Sequence, residues 1–330
     1  MVSGWHNEAP VKGPGFVIGR ATNLGRPTWS DEDFWPLNTV LYAKDFLGNH
    51  PKFAYYWFLT TDLSAYNSGS VQPMLNRNYI ANIPVDVPPV DEQRVIAATL
   101  GAIDEKIESN QRQRGLLRKL GAARLFGAVA EGGVERPLRS VTMSIARGAA
   151  PRYADNEISA PLVLNQKCIR DGWVSLAPAR RTQNRVVAPA KKASGGDILV
   201  NSTGVGTLGR VARWHEGSVF VDSHVSVVKP ELAEVGPTVL AYAMLVRVPE
   251  IEALGEGSTG QTELSPTRLG ELQVLLPDAA KMAVLEVELL AIERHADHLA
   301  IENDRLAAVR DALLPELLSG RIRVPIEEAP

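Results

Sequence analysis

At 330 residues, 45% hydrophobic and 22% charged, the chain is long and apolar enough for about two globular domains and too apolar for a disordered tail. A lone cysteine, Cys168, excludes an internal disulfide; Met1 to His6 lack the basic and apolar regions of a signal peptide; no run approaches the roughly 18 apolar residues of a membrane span. A cytoplasmic protein without a membrane role is therefore expected. The net charge of −3 is unevenly spread: residues 134–230 hold 14 Lys and Arg against 7 Asp and Glu, whereas residues 271–330 hold 6 against 12. A basic middle beside an acidic helical end fits a polyanion-binding domain joined to a protein-binding element.

In chain order, short β-branched and aromatic runs come first, Phe16-Val17-Ile18 among them, divided by Gly, Pro, Ser and Asn. A long helix then follows Val87-Pro88-Pro89, with Asp91 expected as its N-cap and Glu92 in its first turn, and runs to about Gly127. Ile96, Ile103, Asn110, Leu117 and Arg124 recur at intervals of seven, with Leu100 and Ile107 four residues after the first two. A second mixed segment holds Ile198-Leu199-Val200 and Val225-Ser226-Val227-Val228. A second long helix follows Leu276-Pro277-Asp278 and places Leu285, Ile292, Leu299, Leu306 and Leu313 at an unbroken spacing of seven. At 1.5 Å per residue each helix is about 55 Å long, and their apolar seams predict that they pair. The expected divisions are a first domain at 1–89, a central helix at 90–133, a second domain at 134–277, a C-terminal helix at 278–320 and a tail at 321–330.

The two halves repeat. Leu24-Gly25-Arg26 recurs as Leu208-Gly209-Arg210, Gln72 and Leu75 as Gln261 and Leu264, and Asn110 and Gly127 as Asn303 and Gly320, all in the same order. The fold class expected is α+β, two α/β domains each followed by a long helix, the helices forming an antiparallel coiled coil with approximate internal twofold symmetry. The copies differ at the front: 64 residues precede Ile198 in the second and only 15 precede Phe16 in the first, so the first domain is expected to be truncated at its N-terminus.

Residues 204–209 spell Gly-Val-Gly-Thr-Leu-Gly, the letters of a dinucleotide fingerprint. A dinucleotide site needs an amphipathic helix directly after the glycines, whereas Arg210 to Gly217 is polar with a turn and Ser218 to Val221 returns to strand; a hairpin is expected. Such a loop lets backbone N–H groups approach phosphates, and Ser202, Thr203, Thr207 and Arg210 add donors for phosphates or base edges. Arg180, Arg181, Gln183, Asn184 and Arg185, followed by Lys191 and Lys192, form a second basic and amide-rich cluster of the side-chain types that pair with guanine and adenine. Catalytic patterns are absent: the six histidines include no HExxH, and there is no Walker A loop, no GxSxG and no CxxC. Neither a catalytic residue nor a metal site is expected.

Asn67-Ser68-Gly69-Ser70, Leu75-Asn76-Arg77, Ile83 to Pro89, Glu92-Gln93-Arg94 and the Leu100 to Ile107 stretch resemble the end of the first target-recognition domain, and the central helix, of type I restriction-modification specificity subunits. Asp197 to Gly204, Leu208-Gly209-Arg210 and Ser258-Thr259-Gly260-Gln261 resemble that family's second domain, and Leu317-Leu318-Ser319-Gly320-Arg321-Ile322 resembles its ending. The likeness covers essentially the whole chain. It implies a non-catalytic subunit whose two domains read the halves of a split site in double-stranded DNA, while two antiparallel helices set the gap and dock modification subunits. It further implies that S-adenosylmethionine, ATP and Mg belong to partner methyltransferase and restriction subunits, with no cofactor in this chain. Candidate DNA contacts are then the two clusters above, Thr259 and Gln261, and Arg20, Asn23 and Arg26 at the matching turn of the first copy. Candidate seam and partner residues are Ile96, Leu100, Ile103 and Ile107 with Leu285, Ile292, Leu299, Leu306 and Leu313. The shortened first domain leaves a second reading open, a non-reading relative that serves as a coiled-coil scaffold.

Overall fold

The structure, a computed structural model, describes residues 4, 6–21, 23–66, 74–130, 132–257 and 262–325. The chain divides into two compact units, one formed by residues 1–112 and 298–330 and the other by residues 113–297, so the division falls inside both long helices.

In the first unit, β1 (Gly15–Gly19) is the centre of an antiparallel sheet, flanked by β2 (Pro27–Ser30) and β3 (Val40–Tyr42). Helix α1 (Pro51–Thr60) starts on a proline that needs no N–H partner there, and a short α2 (Arg77–Ile80) is capped by Asn76, whose side chain accepts from Asn78 N–H. Phe16 and Ile18 of β1 bury against Leu63 and Leu75. Helix α3 (Val90–Ala130) leads out of this domain. It begins one residue before Asp91, so Asp91 and Glu92 both lie in the first turn at the positive end of the dipole, and Asp91 is a turn residue of the helix rather than its expected cap. Phe53 and Tyr56 of α1 meet Ile96, Ala97 and Leu100 of α3 and Leu314 and Leu317 near the end of the second long helix. Fully burying an aliphatic side chain in such a cluster contributes about 1.5–3 kcal/mol.

The second unit opens with β4 (Val134–Pro137), β5 (Thr142–Arg147), β6 (Leu162–Leu164), β7 (Ile169–Arg170), β8 (Trp173–Val174), β9 (Arg180–Arg181) and β10 (Lys192–Ala193). There follow β11 (Ile198–Asn201), β12 (Val211–Arg213), β13 (Val219–Val221) and β14 (Val225–Pro230), then α4 (Pro237–Leu245), α5 (Val248–Ala253), α6 (Pro266–Gly270), β15 (Gln273–Leu276) and α7 (Ala279–Leu318). An antiparallel sheet in the order β12-β11-β14-β5 packs on a mixed sheet in the order β10-β13-β6-β9, in which β13 and β6 run parallel. Strand β11 is buried on both faces: Leu199 turns to the mixed-sheet side with Leu164, Val221 and Val227, while Ile198 and Val200 turn to α4 and α7 with Leu240, Met244, Leu285 and Leu289. Its unbroken apolar run follows from this double burial. Residues 198–213 form the expected hairpin, β11 pairing antiparallel with β12, with no helix after the glycines. Asp278 caps α7 by accepting from Lys281 N–H, and the helix continues through Pro315.

The two units repeat the same backbone frame. In the first, Gly19 N–H donates to Arg26 C=O, Gly25 N–H to Gly19 C=O, Arg26 N–H to Asn23 C=O, and Leu75 N–H to Arg20 C=O. In the second, Asn201 N–H donates to Arg210 C=O, Gly209 N–H to Asn201 C=O, Arg210 N–H to Thr207 C=O, and Leu264 N–H to Ser202 C=O. Gly25 and Gly209 both have positive φ, 77° and 84°, which explains why the Leu-Gly-Arg triplet is kept: a side chain would strain that turn. Each long helix also caps the start of a domain helix. Gln93 Oε1 accepts from His50 N–H ahead of α1, and Glu286, the residue 193 positions on, accepts from Thr238 and Val239 N–H in α4. Among the described residues, nothing ahead of β1 corresponds to β4 through β10.

Both helices contribute seam residues to each unit. Of the expected positions, Ile96, Leu100, Leu285 and Leu299 are buried and Ile103, Ile107, Ile292, Leu306 and Leu313 half-buried. Deeper burial falls at the companion positions of α7, Leu289, Ala296 and Leu317, of which Leu289 and Leu317 also face a domain. Asn110 and Asn303, matched by the repeat, bond to each other, Asn110 Nδ2 donating to Asn303 Oδ1 at 2.9 Å. Arg124 leaves the seam for the surface, where it forks onto Glu288.

Candidate nucleic-acid interface

In the second unit the ends of β6, β11 and β13 and the start of β14 gather polar groups at one rim. The β11–β12 turn supplies Gly204 to Thr207, with Val205 and Gly206 exposed and positive φ at Gly204 and Gly206. A Cβ on Gly204 would lie 2.5 Å from Thr207 Oγ1 and 3.3 Å from Gln166 Oε1, so this glycine makes room for the polar groups beneath it. Thr207 Oγ1 donates back to Thr203 and Gly204 carbonyls, and Arg210 Nη2 holds Gly206 C=O at 2.8 Å. Thr203 Oγ1 lies 2.8 Å from His224 Nδ1 and donates to Gln166 Oε1 at 3.1 Å. Ser202 differs from expectation. It is buried, its hydroxyl 2.6 Å from Ser226 Oγ on the neighbouring strand, so it belongs to the interior of the sheet rather than to a surface that meets a ligand.

The Arg180 to Arg185 cluster lies on β9 and the segment after it. Arg180 forks onto Asp155 and stacks on Tyr153, 3.3 Å from its ring centre, and Tyr153 OH donates to Asp222 Oδ2 at 3.3 Å. The Asp155 carboxyl, hydrogen-bonded by Arg180, is held below the usual carboxylate range, and burial pushes the Tyr153 phenol up. Arg181 turns inward to Ala160 C=O and Arg185 to Ala150 C=O, so these two fasten loops to the domain, whereas Gln183 and Asn184 are exposed. The exposed Arg152 and Lys167, beside Thr182 and Gln166, were not singled out from sequence. Neither was His224. Its signal was present in Asp222-Ser223-His224, the three polar residues between two strand-like runs. Thr259 and Gln261 lie outside the described residues, as do Ser258, Gly260, Gln72 and Asn67 to Ser70.

In the first unit the matching turn exposes Asn23, at φ 54°, and Arg26, while Arg20 is half-buried with Nη2 3.9 Å from Met74 Sδ. Asparagine is among the few side chains that tolerate that backbone.

Each unit has a polar joint between domain and helix. In the first, Tyr56 OH donates to Asp104 Oδ2 at 2.7 Å and Arg310 Nη1 donates to Asp104 Oδ1 at 2.9 Å. In the second, Glu293 of α7 is buried against Arg213, whose Nη1 donates to it at 2.8 Å; His215 Nε2 lies 3.4 Å from the same carboxylate and His215 Nδ1 3.6 Å from Asp297. Burial pushes the Glu293 carboxyl up to about 7, against the pull of Arg213, and pushes His215 below its ordinary range. Tyr242 OH is buried there without a hydrogen-bond partner among the described residues, and Gly121 of α3 passes so close that a Cβ would sit 2.3 Å from the Tyr242 ring.

The chain aligns with the solved type I restriction-modification S subunit from M. genitalium over 96% of its own length and 85% of that chain, at 19% identity and a TM-score of 0.56. The chain has the fold of a type I specificity subunit. Residues 5–117 match the family model described as type I restriction modification DNA specificity domain, a stretch that runs from ahead of β1 into α3. The HsdS subunit from Thermoanaerobacter tengcongensis aligns over 94% of this chain and 82% of its own at 17% identity, with a TM-score of 0.39. A structure described by complex assembly and conformational transition of the type I R-M system aligns over 93% and 82% at 17% identity, with a TM-score of 0.40. No curated protein matches the chain. Among the described residues, no helix is long and apolar enough to cross a membrane, and no three His, Cys, Asp or Glu side chains converge as a metal site.

Proposed function

We propose that this chain selects the DNA sequence on which a type I restriction-modification complex acts. The second unit reads one half of a bipartite site at the rim of Thr203, Gly204 to Thr207, Arg210 and Gln183-Asn184, and the turn of Asn23 and Arg26 contributes at the other half. The long helices dock adenine-methyltransferase subunits, and restriction subunits join through them. S-adenosylmethionine, ATP and Mg are supplied by those partners, and this chain does the choosing.

The observation that carries this reading is the repeated hairpin frame. One set of backbone hydrogen bonds is kept in both units, while the groups that its turns expose differ. That is what two readers of different half-sites on one scaffold require. The exposed cations Arg152, Lys167 and Arg26 supply phosphate contacts, which position the protein, and the turn groups supply base contacts, which specify.

Binding of the full chain to duplex DNA, followed by fluorescence anisotropy between roughly 50 and 200 mM salt, tests it. Log affinity should fall linearly with log salt, and Lys167→Ala together with Arg152→Ala should make the slope shallower by roughly one to two. A flat response would leave the helices as the functional element and favour the scaffold reading.

A further inference from the structure

The rim of the second unit contains a histidine whose ring is oriented as if for a task. His224 sits in the tight link between β13 and β14. Its backbone is fixed on both sides: its N–H donates to Asp222 Oδ1 at 3.0 Å, and its C=O accepts from Ser202 N–H at 2.9 Å. Its ring is exposed, yet one ring nitrogen is committed, Nδ1 lying 2.8 Å from Thr203 Oγ1. A threonine hydroxyl has one proton, and here it is directed to Gln166 Oε1, 3.1 Å away. Thr203 therefore receives the hydrogen on His224 Nδ1, and the neutral ring must present Nε2 as a bare acceptor. Nε2 has no partner among the described residues.

The relay behind this ring is held in turn. Gln166 C=O accepts from Asn201 Nδ2 at 3.0 Å, and Gly204, lacking a Cβ, leaves space for the Gln166 amide. Asn201 and Thr203 flank Ser202, which is tied across the sheet to Ser226. A surface histidine that served solubility alone would need no such backing. The neighbouring groups suit a nucleic-acid ligand: Lys167 follows Gln166, Arg210 closes the adjoining turn, and the Asp222 carboxylate that fixes the His224 N–H also holds Tyr153, on which Arg180 stacks.

We propose that His224 is a specificity-determining residue, whose Nε2 accepts a hydrogen bond from the exocyclic amine of an adenine or a cytosine in the major groove, with Thr203 and Gln166 as positioning residues that fix the tautomer. In that groove only adenine N6 and cytosine N4 present amine donors, so an acceptor there discriminates against guanine and thymine at the same place. The inference rests on the reading of the chain as a DNA reader. It adds which atom reads and what chemistry it reads.

The test is selection of duplexes from a randomised library by the full chain, with each enriched pool sequenced. The wild type should enrich one motif. His224→Ala should enrich the same motif with one position relaxed, losing roughly tenfold of its discrimination there while the remaining positions and the salt slope stay as in the wild type. His224→Gln, which can place its amide oxygen near the wild-type Nε2, should keep a preference at that position. His224→Asn reaches only as far as Nδ1 and should behave like alanine. Thr203→Val removes the hydroxyl that sets the tautomer and should weaken the same position only. Unchanged discrimination in His224→Ala, with the wild-type motif intact, overturns the role of His224 and leaves the DNA-reading function standing. A wild-type chain that enriches no motif overturns both.

Discussion

The two units share a frame and differ in what they do with it. The β1–β2 and β11–β12 turns close with corresponding hydrogen bonds around glycines of the same conformation, yet the second turn is two residues longer and overlies a network of Thr203, Gln166 and His224 that has no counterpart among the described residues of the first. The joints between domain and helix diverge in the same way. Where the first unit packs Leu100 of α3 into an apolar cluster, the repeat places Glu293 of α7 in the second, buried with Arg213 and His215. Backbone bonds that hold turns and helix starts are hard to replace because every buried N–H and C=O needs a partner, whereas side chains at a rim or joint can change one at a time. The frame therefore records the duplication and the rims record its divergence.

The most damaging way to break the comparison is at the seam. Leu299→Asp puts a carboxylate in place of a buried leucine and should cost roughly 3–5 kcal/mol, read as a shift in the denaturant midpoint. Unchanged stability would mean that the helices do not need each other.

Next in size is the titration of the polar joint. Glu293 has a raised pKa in the folded protein, about 7 against an ordinary 4.5, so the folded chain holds that proton more tightly than the unfolded chain. Its contribution is fully present below the ordinary carboxyl range and is lost as pH rises through about 7, on the order of 3 kcal/mol in all. His215, pushed down by burial, acts in the opposite sense as pH falls below its ordinary value of 6.5, so the cleanest window lies above that. Between pH 6.5 and 8 the wild type should lose stability, and Glu293→Gln should remove most of that dependence. Leu100→Met in the apolar cluster of the first unit should leave the slope untouched.

A smaller effect compares the two turns directly. Gly209→Ala and Gly25→Ala both force alanine to positive φ, at roughly 1–3 kcal/mol each. Gly209→Ala should be the worse, since its Cβ would also lie 2.6 Å from Glu252 Cγ and 3.1 Å from the Glu252 backbone nitrogen, whereas the nearest atom to that of Gly25 would be Leu63 Cβ at 3.0 Å. The smallest effect sits where the repeat meets itself. Asn110→Leu alone strands Asn303 Oδ1 and should cost about 1–3 kcal/mol, while adding Asn303→Leu should recover most of it, a coupling visible in a double-mutant cycle.

Much of the frame was readable from residue order, because strands, turn glycines and heptads are local signals. Ile198 to Val200, the Leu-Gly-Arg triplets and the Leu285 to Leu313 spacing each depend on neighbours within a few positions. The rim was harder to read. Ser202 looks like any loop serine until β14 brings Ser226 beside it, 24 residues away, and Arg180 looks free until Asp155 arrives from 25 residues upstream. Asp91 has the chemistry of a cap, yet the helix starts a residue earlier and Gln93 reaches back to Pro88 C=O. His224 was legible as part of a turn but not as the reader proposed above, because that proposal depends on Thr203 and Gln166, which lie 21 and 58 positions before it in sequence.

The most direct test of a duplicated reader lent to another subunit's chemistry is to express the chain with a type I methyltransferase subunit and map methylated adenines across the host genome. A single motif in two parts, separated by a fixed number of unread bases and changed in only one part by substitutions at the second rim, is the predicted result. A stable complex that methylates nothing, or methylates without a sequence preference, would contradict it.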